Sequence, residues 1–142
     1  EGDDWRYEGI GSLDSAKIGV IGGYAYTDDI DGYIKANAKG NIQETKGDHA
    51  LEKNIKKVLA NRITTTIESV LVMNAQLKEM GQSGALIKAG APGAASDMYI
   101  ACSPAKESSK GLMKLVDEGT SKLRASGELQ KILDKYGLSD WK

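Results

Sequence analysis

The sequence predicts an α/β fold with helices on both faces of a largely parallel sheet. Three observations carry this: short strand-like apolar runs alternate with amphipathic helical stretches, good N-caps stand at Thr27 and Asp48, and Gly, Pro, Asn or Ser bounds most of the runs. Strands are expected at 17–21, 41–45, 63–67, 85–89 and 98–103. After Thr27, Asp28 and Asp29 favour a first helical turn, and Ile30, Tyr33 and Ile34 make one apolar stripe. A second helix follows the Asp48 cap, with Leu51, Ile55, Val58 and Leu59 on one face, and Asn61 ends it because Asn tolerates the left-handed conformation. A third runs over 69–80 and stops at Gly81.

The pattern changes at the small-residue stretch KAGAPGAAS, residues 88–96, which reads as a linker between an α/β unit at 10–95 and a second unit at 96–142. In the second, a helix over 106–125 carries Leu112, Leu115, Val116, Gly119 and Leu123 on one face. Another, capped by Ser126, presents Leu129, Ile132 and Leu133, and Tyr136, Leu138 and Trp141 form an apolar tail. Two strongly striped helices with a single strand to pack on look like part of a unit whose sheet comes from elsewhere.

Charge narrows the partners. The 142 residues hold 19 basic and 20 acidic side chains with no long block of either sign, which points away from nucleic acid and anionic membranes. The longest apolar runs fall well short of the roughly 20 residues that span a bilayer, and no leader pattern precedes Trp5. A start at Glu1 rather than Met implies that an upstream segment has been removed or left out. Cys102, the only cysteine, is expected in the core. His49, the only histidine, is expected in the first turn of the Asp48-capped helix, so neither a His-based metal site nor a Ser-His triad is foreseen. No cofactor, metal or catalytic residue is expected.

In parallel α/β sheets ligands bind where strands hand over to helices, and two such turns stand out. The first is IGGYAYT, residues 21–27, where Gly22 and Gly23 separate a strand from a helix N-terminus. Backbone N–H groups of Ala25, Tyr26 and Thr27 would point at a carboxylate or phosphate there. The spacing is neither GxGxxG nor a P-loop, and a glycine corner that merely lets helix pack on strand explains it equally well. The second turn is RITTTIES, residues 62–69. Glu68 could take an ammonium group and Ser69 could donate to an anion; the plainer alternative has Ser69 capping a helix and Glu68 facing water. Arg62 reads as a surface or ion-pair residue.

Three segments, in order, resemble the extracellular solute-binding proteins of polar amino-acid ABC transporters, family 3 of the type II periplasmic binding proteins. SLDSAKIGVIGGYAY (12–26) is similar to the family's LxGKxVGVxxGT followed by Ser or Thr and Tyr. GDHALEKNIKKVLANRI (47–63) is similar to NxxxALxxLxxGR followed by Val or Ile and Asp, and GTSKLRASGELQKILDKYG (119–137) to the C-terminal pattern ending in Lys, Tyr or Trp, and Gly. The resemblance implies two lobes around a cleft: 10–95 as lobe 2, 96–142 as the segment returning to lobe 1, and the first part of lobe 1 absent. This one lobe alone is expected to bind weakly or not at all, and a dimer of the shortened chain is conceivable.

Carried over by position, the resemblance implies that Gly23, Tyr24 and Ala25 hold a ligand carboxylate, with Tyr26 beside them. Tyr24 and Ala25 replace the usual hydroxyl residues, leaving backbone donors. The family's amine-binding aspartate aligns with Ser69, preceded by Glu68, so the amine site is atypical. The implied function is a periplasmic component that delivers a small polar, amino-acid-like solute to an inner-membrane ABC permease. Rivals are a sensory or non-transport module of the same fold, and an enzyme in which Glu68 would be the sole candidate acid or base.

Overall fold

The computed structural model describes residues 4–93 and 99–142. The chain divides into two compact units, Glu1–Ala94 and Ala95–Lys142.

The first unit is α/β. After a 3-10 helix, Ile10–Ser15, the elements are β1 (Ile18–Ile21), α1 (Asp28–Ala36), β2 (Ile42–Thr45), α2 (Ala50–Leu59), β3 (Thr65–Thr66) and α3 (Val70–Glu79). The sheet has the order β2-β1-β3 and every pairing is parallel, with Ile18 opposite both Ile42 and Thr65. All of β1 is buried, as a central parallel strand covered on two sides must be. Ile18 and Val20 pack with Leu13, Ala16, Ile30 and Ile42 on the α1 side. Ile21 packs with Ala50, Leu51, Ile55 and Leu77 on the α2 and α3 side. The strand's alternation thus divides one sheet between two apolar clusters.

Gly19 makes the second cluster possible. A Cβ there would lie 2.5 Å from Ile63 Cδ1 and 3.1 Å from Asn54 Cγ, so α2 and the segment after it sit directly on the glycine. Asn54 is 0 % exposed, yet its polar ends are satisfied: Thr45 Oγ1 donates to its Oδ1 (2.6 Å) and its Nδ2 donates to the Val20 carbonyl (3.4 Å). A buried amide left without partners would cost about 1–3 kcal/mol, so these bonds fix where α2 docks. On the opposite face Asn41 Nδ2 donates to the carbonyls of Leu13 (2.6 Å) and Ala16 (2.7 Å), tying the chain entering β1 to the start of β2.

Most local signals act as expected. Thr27 Oγ1 accepts from Ile30 N, Ser69 Oγ accepts from Val72 N, and Asn61 closes α2 at φ 53°. Asp48 does not cap α2. His49 occupies the cap position in the left-handed conformation without a capping side chain, and its Nδ1 lies 3.2 Å from Glu52 Oε2. The expected strand over 63–67 forms only at Thr65–Thr66, where threonine hydroxyls stand beside the main-chain bonds that Thr64 N and Thr65 N give to the Lys17 carbonyl. Thr64 Oγ1 accepts from Lys17 N (3.1 Å), and Thr66 Oγ1 donates to the Gly19 carbonyl (2.9 Å). No strand forms over 85–89, where Ala85 N closes a turn on Gln82 O and Gly84 takes φ 78°. At its far end Tyr7 N donates to the Ala89 carbonyl (3.0 Å).

The second unit packs α4 (Ser108–Ala125) against α5 (Glu128–Lys135). Gly127, at φ 76°, occupies the α5 cap, with Ser126 Oγ accepting from Glu128 N at 3.4 Å. Met98 lies outside the described residues, and 99–103 form no strand: Tyr99 is 83 % exposed and Cys102 is only partly buried, so the expected core position for Cys102 is corrected. Among the described residues of this unit there is no strand, and Leu112, Leu115, Leu123 and Ile132 are exposed, while Leu129 is buried. The tail folds back through a bidentate pair, Arg124 Nε to Asp140 Oδ2 (2.6 Å) and Nη2 to Oδ1 (3.0 Å), with Trp141 stacked 5.2 Å from the guanidinium.

Replacing Gly19 by Ala is expected to lower stability by about 1–3 kcal/mol, seen as a lower urea midpoint at unchanged slope. Hydrogen bonding from Arg124 holds the Asp140 carboxyl below the ordinary aspartate range. A depressed folded value stabilises above the unfolded value and is lost as pH falls through the folded one. In a Trp5→Phe background, Trp141 fluorescence is therefore expected to change on acidification below about pH 4, and Asp140→Asn to show the changed signal already at neutral pH.

Candidate functional site

All three strands run the same way, so their carboxyl ends open on one edge of the sheet, where α1, α2 and α3 begin. The glycine corner follows β1, the central strand. Gly23 adopts φ 85°, which favours glycine, and a Cβ on Gly22 would meet Lys46 Cγ at 2.6 Å. The corner is therefore a structural necessity as well as a candidate site. Tyr24 N donates to the Ile21 carbonyl (3.2 Å), closing the turn, and Tyr26 N donates to both carboxylate oxygens of Asp31 (3.2 Å each). The expectation that Tyr26 N–H points at a ligand is corrected: the protein's own Asp31 holds it. Among the described residues, the N–H groups of Gly23, Ala25 and Thr27 have no acceptor, so these three remain as donors, and the expectation for Ala25 and Thr27 stands unopposed.

Tyr26 turns back over the corner. Its hydroxyl accepts the Ile21 N–H at 2.9 Å, leaving its own proton for a further acceptor. Burial, opposed by the Ile21 hydrogen bond and reinforced by the charge of Glu68, then of Tyr24 and Asp31, raises the Tyr26 phenol above its usual range. The Tyr24 ring, 51 % exposed, stands 6.2 Å from the Tyr26 ring at a 47° tilt. Both rings border a cavity of about 260 Å³ on the α1 side, whose wall includes Gly23, Asp31, Lys35 and Glu44.

Glu68 and Ser69 stand at the end of the neighbouring strand. Thr66 pairs with Gly19, so Glu68 lies two residues beyond its strand pair just as Ile21 does, and adjacent strands are only about 4.8 Å apart. Ser69 Oγ caps α3, as the plainer expectation had it. Glu68 does not face water as that expectation required. It is half-buried; Oε1 accepts from Ser69 N at 2.7 Å, while Oε2 is buried with no hydrogen-bond partner. A buried carboxylate oxygen without a donor is costly, and it is the one such side-chain atom among the described residues.

The structure thus gathers Gly23, Tyr24 and Tyr26 around one cavity and sets Ala25 in the same turn; Glu68 and Ser69 follow the adjacent strand, with Glu68 close enough for its charge to act on Tyr26. Asp31, Lys35 and Glu44 were missed by the sequence reading. The signal was helical spacing, since Asp31, Ile34, Lys35 and Ala38 fall at i, i+3, i+4 and i+7 and all line the cavity. Among the described residues no group of three His, Cys, Asp or Glu side chains could hold a metal, and no helix is long and apolar enough to cross a membrane.

The class these features define is an α/β unit with a small parallel sheet and candidate ligand groups at its carboxyl edge. No protein-family description, curated protein or solved structure matches the chain.

Tyr26→Phe is expected to remove the acceptor of the Ile21 N–H and cost about 1–3 kcal/mol at neutral pH, measured by urea unfolding. Because the folded phenol keeps its proton above the ordinary value of 10.0 while an unfolded one releases it, the contribution of ionisation is flat below that value and stability falls above it. Between about pH 9 and pH 11 the wild type is expected to lose more stability than Tyr26→Phe.

Proposed function

We propose that this chain is part of a solute-binding protein of the type II periplasmic kind, delivering a small polar, amino-acid-like solute to an ABC permease in the inner membrane. On this reading residues 10–95 are lobe 2, residues 96–142 are the segment returning to lobe 1, the protein works in the periplasm, and no covalent chemistry is involved. The observation that carries the proposal is the buried, unpartnered Glu68 Oε2 just beyond β3, the strand that pairs with β1, together with the free Gly23, Ala25 and Thr27 N–H groups that follow β1. Anion donors after β1 and a cation acceptor after β3 are the two ends that a zwitterion requires. Tyr26, with a hydroxyl proton to give, stands in the same turn as the donors.

Glu68 takes the amine role in place of the aligned Ser69, whose oxygen is already engaged as the α3 cap. The solute is then one whose amine reaches a carboxylate one residue earlier and one methylene longer than the family pattern. No feature favours a sensory or enzymatic reading over this one.

Amide NMR with α-amino acids, simple carboxylates and simple amines, added to about 10 mM to capture millimolar affinities, tests the proposal. Amino acids are expected to shift Gly23, Ala25 and Ser69 together. Glu68→Gln is expected to weaken amino-acid binding about tenfold or more, the value of one charge-assisted bond, and to leave simple carboxylates unchanged. If simple carboxylates or simple amines move these amides as strongly as amino acids do, or Glu68→Gln affects carboxylates equally, the reading is wrong.

A further inference from the structure

A second concavity, of about 660 Å³, lies between α2 and the residues at the end of β2, the strand at one edge of the sheet. Lys46, Lys53, Lys56, Lys57 and Arg62 line it, against a single acidic residue, Glu44. Lys53, Lys56, Lys57 and Ala60 fall at i, i+3, i+4 and i+7, so one face of α2 supplies most of the charge.

The ion pairs decide how much of that charge is free. Lys46 pairs with Glu44 at 3.0 Å, and Lys56 with Glu52 at 2.6 Å, whose carboxyl it holds below the ordinary glutamate range. The remaining three meet only neutral partners or none. Lys53 Nζ donates to the Asp48 carbonyl (3.0 Å), Lys57 Nζ donates to Thr45 Oγ1 (2.8 Å), and the Arg62 guanidinium has no acceptor among the described residues. Three uncompensated cations thus share one groove in a chain whose formal net charge is −1. The local positive potential is a feature of placement, not of composition.

We infer that this groove is a docking surface for an acidic, extended segment of another protein. Along α2, Lys53 and Lys57 are one turn apart, about 6 Å, and alternate residues of an extended strand are spaced about 6.6–6.8 Å, so carboxylates at every second position match the lysines. An edge strand also offers its outward backbone groups to an extended partner. A single small anion gains less, because lysines such as Lys46 and Lys56, with side chains 74 % and 64 % exposed, are well hydrated. A nucleic-acid strand would find no aromatic side chain among the lining residues on which to stack bases. Glu44 borders this groove and the solute-site cavity alike, but Lys53 and Arg62 line only the groove, so the test leaves the solute site untouched.

The experiment is fluorescence anisotropy with a labelled peptide alternating Glu and Ser, at low salt. Lys53→Glu/Arg62→Glu, both at exposed positions, is expected to weaken binding about tenfold or more; Lys114→Glu/Lys131→Glu, an equal charge change in the second unit, is expected to leave it within about twofold. Raising salt to about 1 M, where the Debye length is about 3 Å, is expected to abolish it. Circular dichroism checks that both double variants fold. Equal loss in the two variants, no binding by the wild type, or tighter groove-dependent binding of inorganic phosphate or an oligonucleotide overturns the inference.

Discussion

The close approach of α2 to β1 at Gly19 is the constraint on which the first unit depends. With no Cβ at that position, Ile63 and Asn54 press directly on the strand, and Asn54 spends its amide on Thr45 and the Val20 carbonyl, one partner from each of two adjacent strands. That single side chain therefore joins α2, β1 and β2. Thr45 in turn holds Lys57, so the same contact that seals the interior orients a cation in the groove outside. A methyl group on Gly19 would push against both Ile63 and Asn54.

The carboxyl edge inherits its order from this core. β1 is packed on both faces, and in the glycine corner that follows it Tyr26 and Asp31 take up the Ile21 and Tyr26 N–H groups. What is left over is informative: the Gly23, Ala25 and Thr27 amides after β1 and one buried carboxylate oxygen after β3. Folding alone gives no reason to keep a carboxylate oxygen buried without a donor. Sites where local rules are broken are where function is to be sought.

How much of this was legible in the sequence depended on how local each signal was. Thr27, Ser69 and Asn61 act within one turn of themselves, the α1 stripe spans just over one turn and the α2 stripe more than two, so each could be read directly. The misplacements arose where distant partners decided. β3 joins β1 partly through the hydroxyls of Thr64 and Thr66, whose partners at Lys17 and Gly19 lie 47 residues away in the chain. His49 displaced Asp48 from the α2 cap by adopting a left-handed backbone that no stripe foretells. Cys102 and the 99–103 stretch looked like core because their composition is apolar, yet composition does not supply a neighbouring strand. At the site, Gly23 and Tyr24 stood out by motif, whereas Glu44 reached the cavity through sheet pairing and could be placed only once β2 was known to lie beside β1.

The hydroxyl bonds of β3 have a further consequence. Where β1 and β2 are joined along four matched residues, β3 is held to β1 by a short ladder eked out with threonine side chains. Main-chain pairing survives almost any substitution, but a bond made by a hydroxyl is encoded and can be erased by one codon. The sheet therefore has a permanent half and an editable half. Glu68 hangs from the editable half, and its reach toward the glycine corner can be tuned by changes at Thr64 or Thr66 that leave the corner itself intact.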